Sequence, residues 1–222
     1  MKAAQGLYDP MFEHDACGVG MLAHIHGEKS HAIVDSALTI LENMRHRGAE
    51  GADSKTGDGA GILLQIPHEF ILLQGVPVPE KGRYGTGLFF MPKDETVYND
   101  ILGIIRHESE RLCLCLLAVR DVPVCSAVLG EEAKATEPDI KQFFFTGGNS
   151  QDELELKLYL LRKHIEKQIG NSLELDKESF YIVSLSTRSL VYKGMLESMQ
   201  LREYFPDLND PYFTSGLALV HS

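Results

Sequence analysis

A cysteine close to the start of the chain, Cys17, occupies a place where a nucleophile could act. It opens a predicted strand over residues 17–26, is followed by Gly-Val-Gly, and comes after a short polar leader, residues 1–16. A thiolate in such a place could attack a carbonyl carbon and form a covalent intermediate. The alternative is a buried structural cysteine, which is the commonest fate of this residue type. The local pattern is compatible with both.

Other residue types that could do chemistry give weaker patterns. His24, His26, His31 and His46 could suggest a metal cluster, but no Cys or carboxylate completes a zinc spacing around them, so no metal site is expected. The run Gly57-Asp-Gly-Ala-Gly61 could suggest a phosphate cradle. A strand rather than a helix follows it and it has no P-loop lysine, so the glycines indicate a tight turn and a close approach of backbones.

The remaining cysteines are interpreted as structural. Cys113 and Cys115 share one face of a predicted apolar strand, so both are expected in the core. Cys125 follows a proline and is expected to be a surface or loop thiol.

These residues must be positioned by a mixture of helices and strands. Apolar spacing predicts helices over residues 31–45, with Ser30 as N-cap, 94–109 and 151–169. Strands are predicted at 62–66, 87–91, 112–119 and 215–220, and a hairpin at 180–185 and 190–193. The last strand is expected to be an exposed sheet edge, prone to association. The segment Arg45-His-Arg-Gly48 is typical of the C-terminal end of a helix, here the first one, where basic residues interact favourably with the helix dipole and a glycine forms the cap.

Composition and charge exclude several classes of protein. The chain has 222 residues and a formal net charge of -11, which argues against a nucleic-acid partner. No segment is long and apolar enough to suggest a membrane partner, and acidic residues within 1–16 exclude a signal peptide. The four cysteines are then expected to be reduced, and the location cytoplasmic.

Several ordered motifs resemble one known family. Cys17-Gly-Val-Gly-Met-Leu-Ala-His-Ile25, Met44-Arg-His-Arg-Gly48 and Thr56-Gly-Asp-Gly-Ala-Gly-Ile62 are similar to the start of the class II glutamine amidotransferases. Within that family, further segments are similar to the glutamate synthase group: Glu28–His31, Arg120–Val124, Leu190–Met195 and Ala218–Ser222.

The resemblance implies a site and a fold. Residues 1–16 would be a removable leader, and residues 17–222 the N-terminal part of the amidotransferase domain. Cys17 would be the catalytic nucleophile, with Arg47 and Gly48 beside the glutamine pocket. The fold class would be α+β, a four-layer αββα sandwich of the N-terminal-nucleophile hydrolase type.

The resemblance also implies partners outside this chain. L-glutamine would be the substrate. The rest of a glutamate synthase large subunit would be the protein partner, with its small subunit as a further candidate. No cofactor is expected within these residues. FMN and an iron–sulfur cluster would belong to the rest of the enzyme. An arginine and an Asn-Gly pair of the family would follow Ser222, so these 222 residues alone are expected to turn over no glutamine.

Two alternatives stay open at this point. One is a different class II amidotransferase, making an amino sugar, a purine precursor or asparagine. The other is a non-catalytic module that retains the fold.

Overall fold

The computed structural model describes residues 18–44, 56–57, 59–171 and 180–222, and contains helices and strands that alternate along the chain. The strands are β1 (Val19–Ala23), β2 (Ala60–Gln65), β3 (Tyr84–Met91), β4 (Leu114–Asp121), β5 (Asp139–Gly147), β6 (Tyr181–Ile182), β7 (Ser189–Gly194) and β8 (Leu217–His221). The α-helices are α1 (His31–Asn43), α2 (His68–Leu73), α3 (Glu95–Arg111), α4 (Glu131–Ala135), α5 (Gln151–Asn171) and α6 (Gln200–Tyr204). Short 3-10 helices cover Ser126–Val128 and Pro206–Asn209.

The described strands form two antiparallel sheets of four strands each. Sheet 1 has the order β1-β8-β2-β7 and sheet 2 the order β4-β5-β3-β6. In sheet 1, β8 lies between β1 and β2, so the last strand is paired on both sides. The expectation that this strand is an exposed edge was therefore wrong. The mixture of helices with two antiparallel sheets confirms the α+β class.

Helix α1 packs closely on sheet 1, and a glycine makes the approach possible. A Cβ on Gly20 of β1 would lie 2.6 Å from Cγ2 of Ile40 of α1. Buried residues of α1 and of sheet 1 belong to one hydrophobic cluster, which also includes Leu88 and Phe144 of sheet 2. Burial of this apolar surface supplies the main favourable free energy for joining the helix to the sheets.

Sheet 2 has apolar side chains on both faces. Leu88 and Phe144 belong to the cluster shared with sheet 1, whereas Phe89 and Phe143 pack with α3 and α5 in a second cluster. Successive side chains of a strand point to opposite faces, so β3 and β5 contribute to both clusters. Sheet 2 thus lies between the two helices and the cluster shared with sheet 1.

The chain passes from one sheet to the other between β6 and β7. Strand β6 pairs with β3 in sheet 2, whereas β7 pairs with β2 in sheet 1, so the predicted hairpin between these strands was wrong. The connection is held by Glu155 of α5. Its carboxylate accepts hydrogen bonds from the Ser186 hydroxyl at 2.7 Å and from the Thr187 amide at 2.7 Å.

The three long helices were predicted at the right places, but one cap differs. Ser30 is extended at the N-cap of α1, yet its side chain makes no capping hydrogen bond. Its backbone instead pairs with Ser215, which precedes β8. Asp94 caps α3 by accepting a hydrogen bond from the Val97 amide at 3.0 Å. Across the described ranges, none of the helices is both long and apolar enough to cross a bilayer.

The two cysteines at the start of β4 are exposed, so their predicted place in the core was wrong. Strand β4 is an edge strand of sheet 2, and Cys113 lies just before it with a positive φ of 53°. An apolar sequence around a cysteine does not show that both faces of its strand are covered.

Candidate active site

The three site residues expected from the sequence, Cys17, Arg47 and Gly48, lie outside the residues that the structure describes. The structure does describe what surrounds their positions in the chain. Gly18 follows Cys17, α1 precedes the segment containing Arg47 and Gly48, and Thr56 and Gly57 follow that segment.

Gly18 is fixed against the last residue of the chain. Its amide donates to the Ser222 carbonyl oxygen at 2.7 Å, and the Ser222 amide donates to the Gly18 carbonyl oxygen at 2.9 Å. Next to this pair, Val19 is aligned with His221, and His221 with Gly61. Gly61 in turn is aligned with Lys193. The start of β1, the end of β8, the start of β2 and the end of β7 therefore meet at one end of sheet 1, called here the Gly18 end.

The glycines before and at the start of β2 allow backbones to come very close at the Gly18 end. A Cβ on Gly57 would lie 2.4 Å from the Leu196 carbonyl oxygen and 2.6 Å from the Glu197 nitrogen. A Cβ on Gly61 would lie 2.9 Å from Cβ of Lys193, and Gly59 has a positive φ of 140°. The sequence predicted that the glycines of residues 57–61 serve a tight turn and a close approach of backbones. The structure confirms this for Gly57, Gly59 and Gly61.

The segment Leu196–Ser198 connects this turn to the end of the chain. The Ser198 hydroxyl is 2.8 Å from the Ser222 hydroxyl. One carboxylate oxygen of Glu197 is buried and has no hydrogen-bond partner in the described part of the chain. Buried polar atoms are nearly always hydrogen-bonded, so this oxygen is an exception.

A cavity of about 650 Å³ opens at the Gly18 end of sheet 1. Gly61, Lys193 and His221 line it from sheet 1, and Phe90 and Tyr181 line it from sheet 2. The Lys193 ammonium donates to the Tyr181 hydroxyl at 3.0 Å and lies 4.2 Å from the centre of the Tyr181 ring. That hydrogen bond is the main reason why the pKa of Tyr181 is lowered. The volume is within the range typical of pockets for small molecules.

Sequence reasoning did not assign a role at the site to Lys193, Glu197 or Ser222. A signal existed for two of them, because Lys193 lies in the segment Leu190–Met195 and Ser222 ends the segment Ala218–Ser222, and both segments resemble the glutamate synthase group. No local pattern indicated Glu197, since its position depends on the approach of Gly57 from a distant part of the chain.

The histidines that could have suggested a metal site have other contacts. The rings of His24 and His26 lie 6.0 Å apart, edge to face. The Nδ1 atom of His31 is 3.1 Å from the Phe213 carbonyl oxygen. Within the described ranges, no group of three or more His, Cys, Asp or Glu residues is arranged to hold a metal ion. His46 lies outside these ranges.

Comparison with known proteins identifies the family. Residues 17–222 match the family described as "Glutamine amidotransferases class-II". The chain belongs to this family. The match begins at Cys17.

The chain is also similar to glutamate synthases from several organisms. It is 43% identical to "Glutamate synthase [NADH]" of Saccharomyces cerevisiae, over 98% of the chain and 11% of the yeast protein. It is 41% identical to "Glutamate synthase [NADPH] large chain" of Bacillus subtilis, over 100% of the chain and 15% of that protein. It is 38% identical to "Ferredoxin-dependent glutamate synthase 2" of Synechocystis, over 94% of the chain and 13% of that protein. The chain thus spans only 11 to 15% of the length of these relatives.

Proposed function

We propose that this chain is the part of a larger enzyme that hydrolyses L-glutamine to glutamate and ammonia, with Cys17 as the nucleophile. The observation that carries the proposal is that the family match begins at Cys17 and extends to Ser222. The relatives named as glutamate synthases, at 38 to 43% identity, favour this group over other class II amidotransferases.

The chemistry requires Cys17 to be the first residue of the mature protein. A free α-amine has a pKa of about 7.7–8.0 and a thiol of about 8.5, so the amine can accept the thiol proton near neutral pH. The thiolate attacks the side-chain amide carbon of glutamine, ammonia leaves, and water hydrolyses the glutamyl thioester. While residues 1–16 remain attached, the nitrogen of Cys17 is an amide without basicity, so the leader keeps the site inactive.

The Gly18 end of sheet 1 is our proposed location for this reaction. Support comes from the paired hydrogen bonds between Gly18 and Ser222, which fix the residue that follows Cys17. The cavity lined by Lys193 and His221 lies at the same sheet end. Arg47 and Gly48 are proposed to form part of the wall of the glutamine pocket.

The arrangement of layers is also a proposal. We propose the four-layer αββα sandwich of the N-terminal-nucleophile hydrolases. It is supported by the two antiparallel sheets, by the packing of α1 on sheet 1, and by the packing of α3 and α5 on sheet 2. A free N-terminal nucleophile at the start of a strand is the arrangement that this fold would provide.

In the whole enzyme, we propose that the ammonia passes to 2-oxoglutarate and yields a second glutamate. The chain covers a small part of each relative, which leaves room there for the domains that would carry FMN and an iron–sulfur cluster. A small subunit is a further proposed partner, and the cytoplasm the proposed location.

The test is Cys17→Ala in the full-length protein. Glutamine-dependent formation of glutamate should disappear, whereas synthesis from added ammonia should remain close to the wild-type rate, because only the first reaction needs the thiol. Cys125→Ala serves as control and should leave both rates unchanged. Glutamine hydrolysis that survives in Cys17→Ala would show that another residue is the nucleophile.

Chemical labelling separates an enzyme from a non-catalytic module with the same fold. A diazoketone analogue of glutamine should modify Cys17 with a stoichiometry of one, and excess glutamine should protect it. Cys113 and Cys115 are exposed and could also react, so the modified residue must be located by peptide mass spectrometry. Failure of glutamine to protect Cys17 would favour the non-catalytic module.

A further inference from the structure

A second cavity, of about 340 Å³, lies at the end of sheet 1 opposite to Gly18. Gln65, the last residue of β2, lines it and is aligned with Ser189, the first residue of β7. Gln65 is four residue steps along β2 from Gly61 at the Gly18 end, which corresponds to about 14 Å. The cavity is therefore separate from the proposed glutaminase site.

The cavity collects positive charge from three different parts of the chain. Lys29 comes from the connection between β1 and α1, Lys81 from the connection between α2 and β3, and Arg188 from the residue before β7. None of the residues that line this cavity is an Asp or a Glu. This is unexpected in a chain whose formal net charge is -11.

Two of these cations, Lys29 and Lys81, are close together and have no counter-ion among the described residues. The half-buried Lys29 ammonium donates to the Ile66 carbonyl oxygen at 3.3 Å. Burial, and then the nearby charge of Lys81, lower the pKa of Lys29 to about 8. Among the described residues, neither lysine forms an ion pair with a carboxylate. An anion between the two ammonium groups would replace their repulsion by attraction.

The third cation and the polar lining complete a pocket for a small ligand. Arg188 pairs with the exposed Asp152 and is itself exposed, so its guanidinium can turn toward a ligand. Gln151 holds one wall by donating to the Thr187 hydroxyl at 3.3 Å. Tyr84, whose hydroxyl is 3.0 Å from Nδ1 of His68, is another lining residue. Guanidinium and ammonium groups bind carboxylates and phosphates through charge-assisted hydrogen bonds.

We propose that this cavity binds a small dianion, either a phosphate group or a dicarboxylate, between Lys29 and Lys81. Both ligands offer the same chemistry, two negative charges on oxygen atoms within a few ångströms. The volume is at the lower end of the range for small-molecule pockets, which favours a compact metabolite over a nucleotide.

Titration calorimetry of the protein at pH 7 tests the proposal, with inorganic phosphate and succinate as probes. Acetate serves as the monoanion, and sodium chloride at matched ionic strength measures unspecific screening. We expect that phosphate, succinate or both bind, and that acetate binds clearly more weakly. Selective binding of one dianion identifies which of the two ligand types the cavity prefers. If neither dianion binds more tightly than chloride, the proposal is wrong.

Variants locate the bound anion. Lys81→Gln changes an exposed side chain, so the fold should persist while dianion affinity falls by about tenfold, the typical value of one charge-assisted contact. Lys29→Met should weaken binding at least as much. Lys167→Gln removes the same charge from an exposed position on α5 and should leave the affinity unchanged. Wild-type affinity in Lys81→Gln, or an equal loss in Lys167→Gln, would overturn the assignment to this cavity.

Discussion

Arg120 of β4 and Asp207 of the 3-10 helix Pro206–Asn209 form a buried bidentate ion pair. Nη1 and Nη2 of Arg120 lie 2.8 and 2.7 Å from Oδ2 and Oδ1 of Asp207. The hydroxyl of Tyr192 in sheet 1 donates to the same carboxylate at 2.8 Å, and Nη1 of Arg120 also donates to Gln142 in sheet 2 at 3.2 Å. One carboxylate therefore links side chains from both sheets.

The first prediction concerns this ion pair. Arg120→Met should lower the free energy of unfolding by about 3–5 kcal/mol, because Asp207 would keep a buried charge without its partner. Denaturant unfolding measures the loss. Arg188→Met is the control, since its pair with Asp152 is exposed and should contribute less than about 1 kcal/mol. Equal effects of the two substitutions would contradict the structural role assigned to Asp207.

The second prediction concerns the backbone contact at the Gly18 end. Gly57→Ala places a Cβ 2.4 Å from the Leu196 carbonyl oxygen, and neither backbone can move without disturbing β2 or β7. We expect a loss of about 1–3 kcal/mol in the free energy of unfolding and a lower rate of glutamine hydrolysis.

The control for this substitution is Gly103→Ala. Gly103 lies within α3, and no atom is within 4 Å of the position of its Cβ. Alanine should raise the free energy of unfolding there by up to about 1 kcal/mol, because it has the higher helix propensity. A Gly57→Ala protein with unchanged stability and glutaminase activity would show that the close approach at the turn is dispensable.

The third prediction concerns the pH dependence of stability at the anion cavity. The pKa of Lys29 is about 8 in the folded protein, against 10.5 for a free lysine. Between these two pH values the unfolded chain binds more protons at this residue than the folded chain. The contribution of Lys29 to the free energy of unfolding therefore rises with pH across that window.

The measurement is the difference between the wild type and Lys29→Met from pH 7 to 10.5, because other groups titrate in the same range. Burial raises the pKa of Tyr84 in the same cavity, and this opposes the Lys29 effect above about pH 10. Lys81 and Arg188 are the other charged residues that line the cavity, and the charge of Glu69 adds to the effect of burial on the pKa of Tyr84. The wild type should gain stability relative to Lys29→Met as the pH rises. A constant difference would mean that the pKa of Lys29 is not lowered.

The fourth prediction concerns the leader. We expect cleavage between Ala16 and Cys17 in the active protein, because only a free Cys17 amine can accept the thiol proton. Intact-mass measurement or N-terminal sequencing of the mature protein decides this. A fully active protein that still begins at Met1 would contradict it.

Local patterns predicted the elements better than their pairing. The helical spacing of residues such as Leu154, Leu158 and Leu161 indicated α5, which the structure confirms. Strand β5 was not predicted, because its apolar residues Phe143 to Phe145 follow directly after polar ones and do not alternate. The hairpin was wrong because the two strands find their partners in different sheets, which a local pattern does not encode.

The candidate site shows a similar limit. The motifs indicated that the regions around Gly18, Gly57, Lys193 and Ser222 belong to one family pattern, and the register of sheet 1 brings these regions to one end. The cavity with Lys29 and Lys81 had no signal in the sequence. Its cations come from separate connections between elements, and only the fold makes them neighbours.

The position of β8 in sheet 1 has a consequence for the order in which the two sheets can form while the chain is being synthesised. Strand β1 pairs only with β8 among the described strands, and β8 is made of residues Leu217–His221. All strands of sheet 2 lie between Tyr84 and Ile182, so the ribosome completes them first. Pairings between residues so far apart in sequence also form slowly. Strand β1, which begins two residues after Cys17, therefore cannot acquire its partner strand before nearly all of these 222 residues have been synthesised.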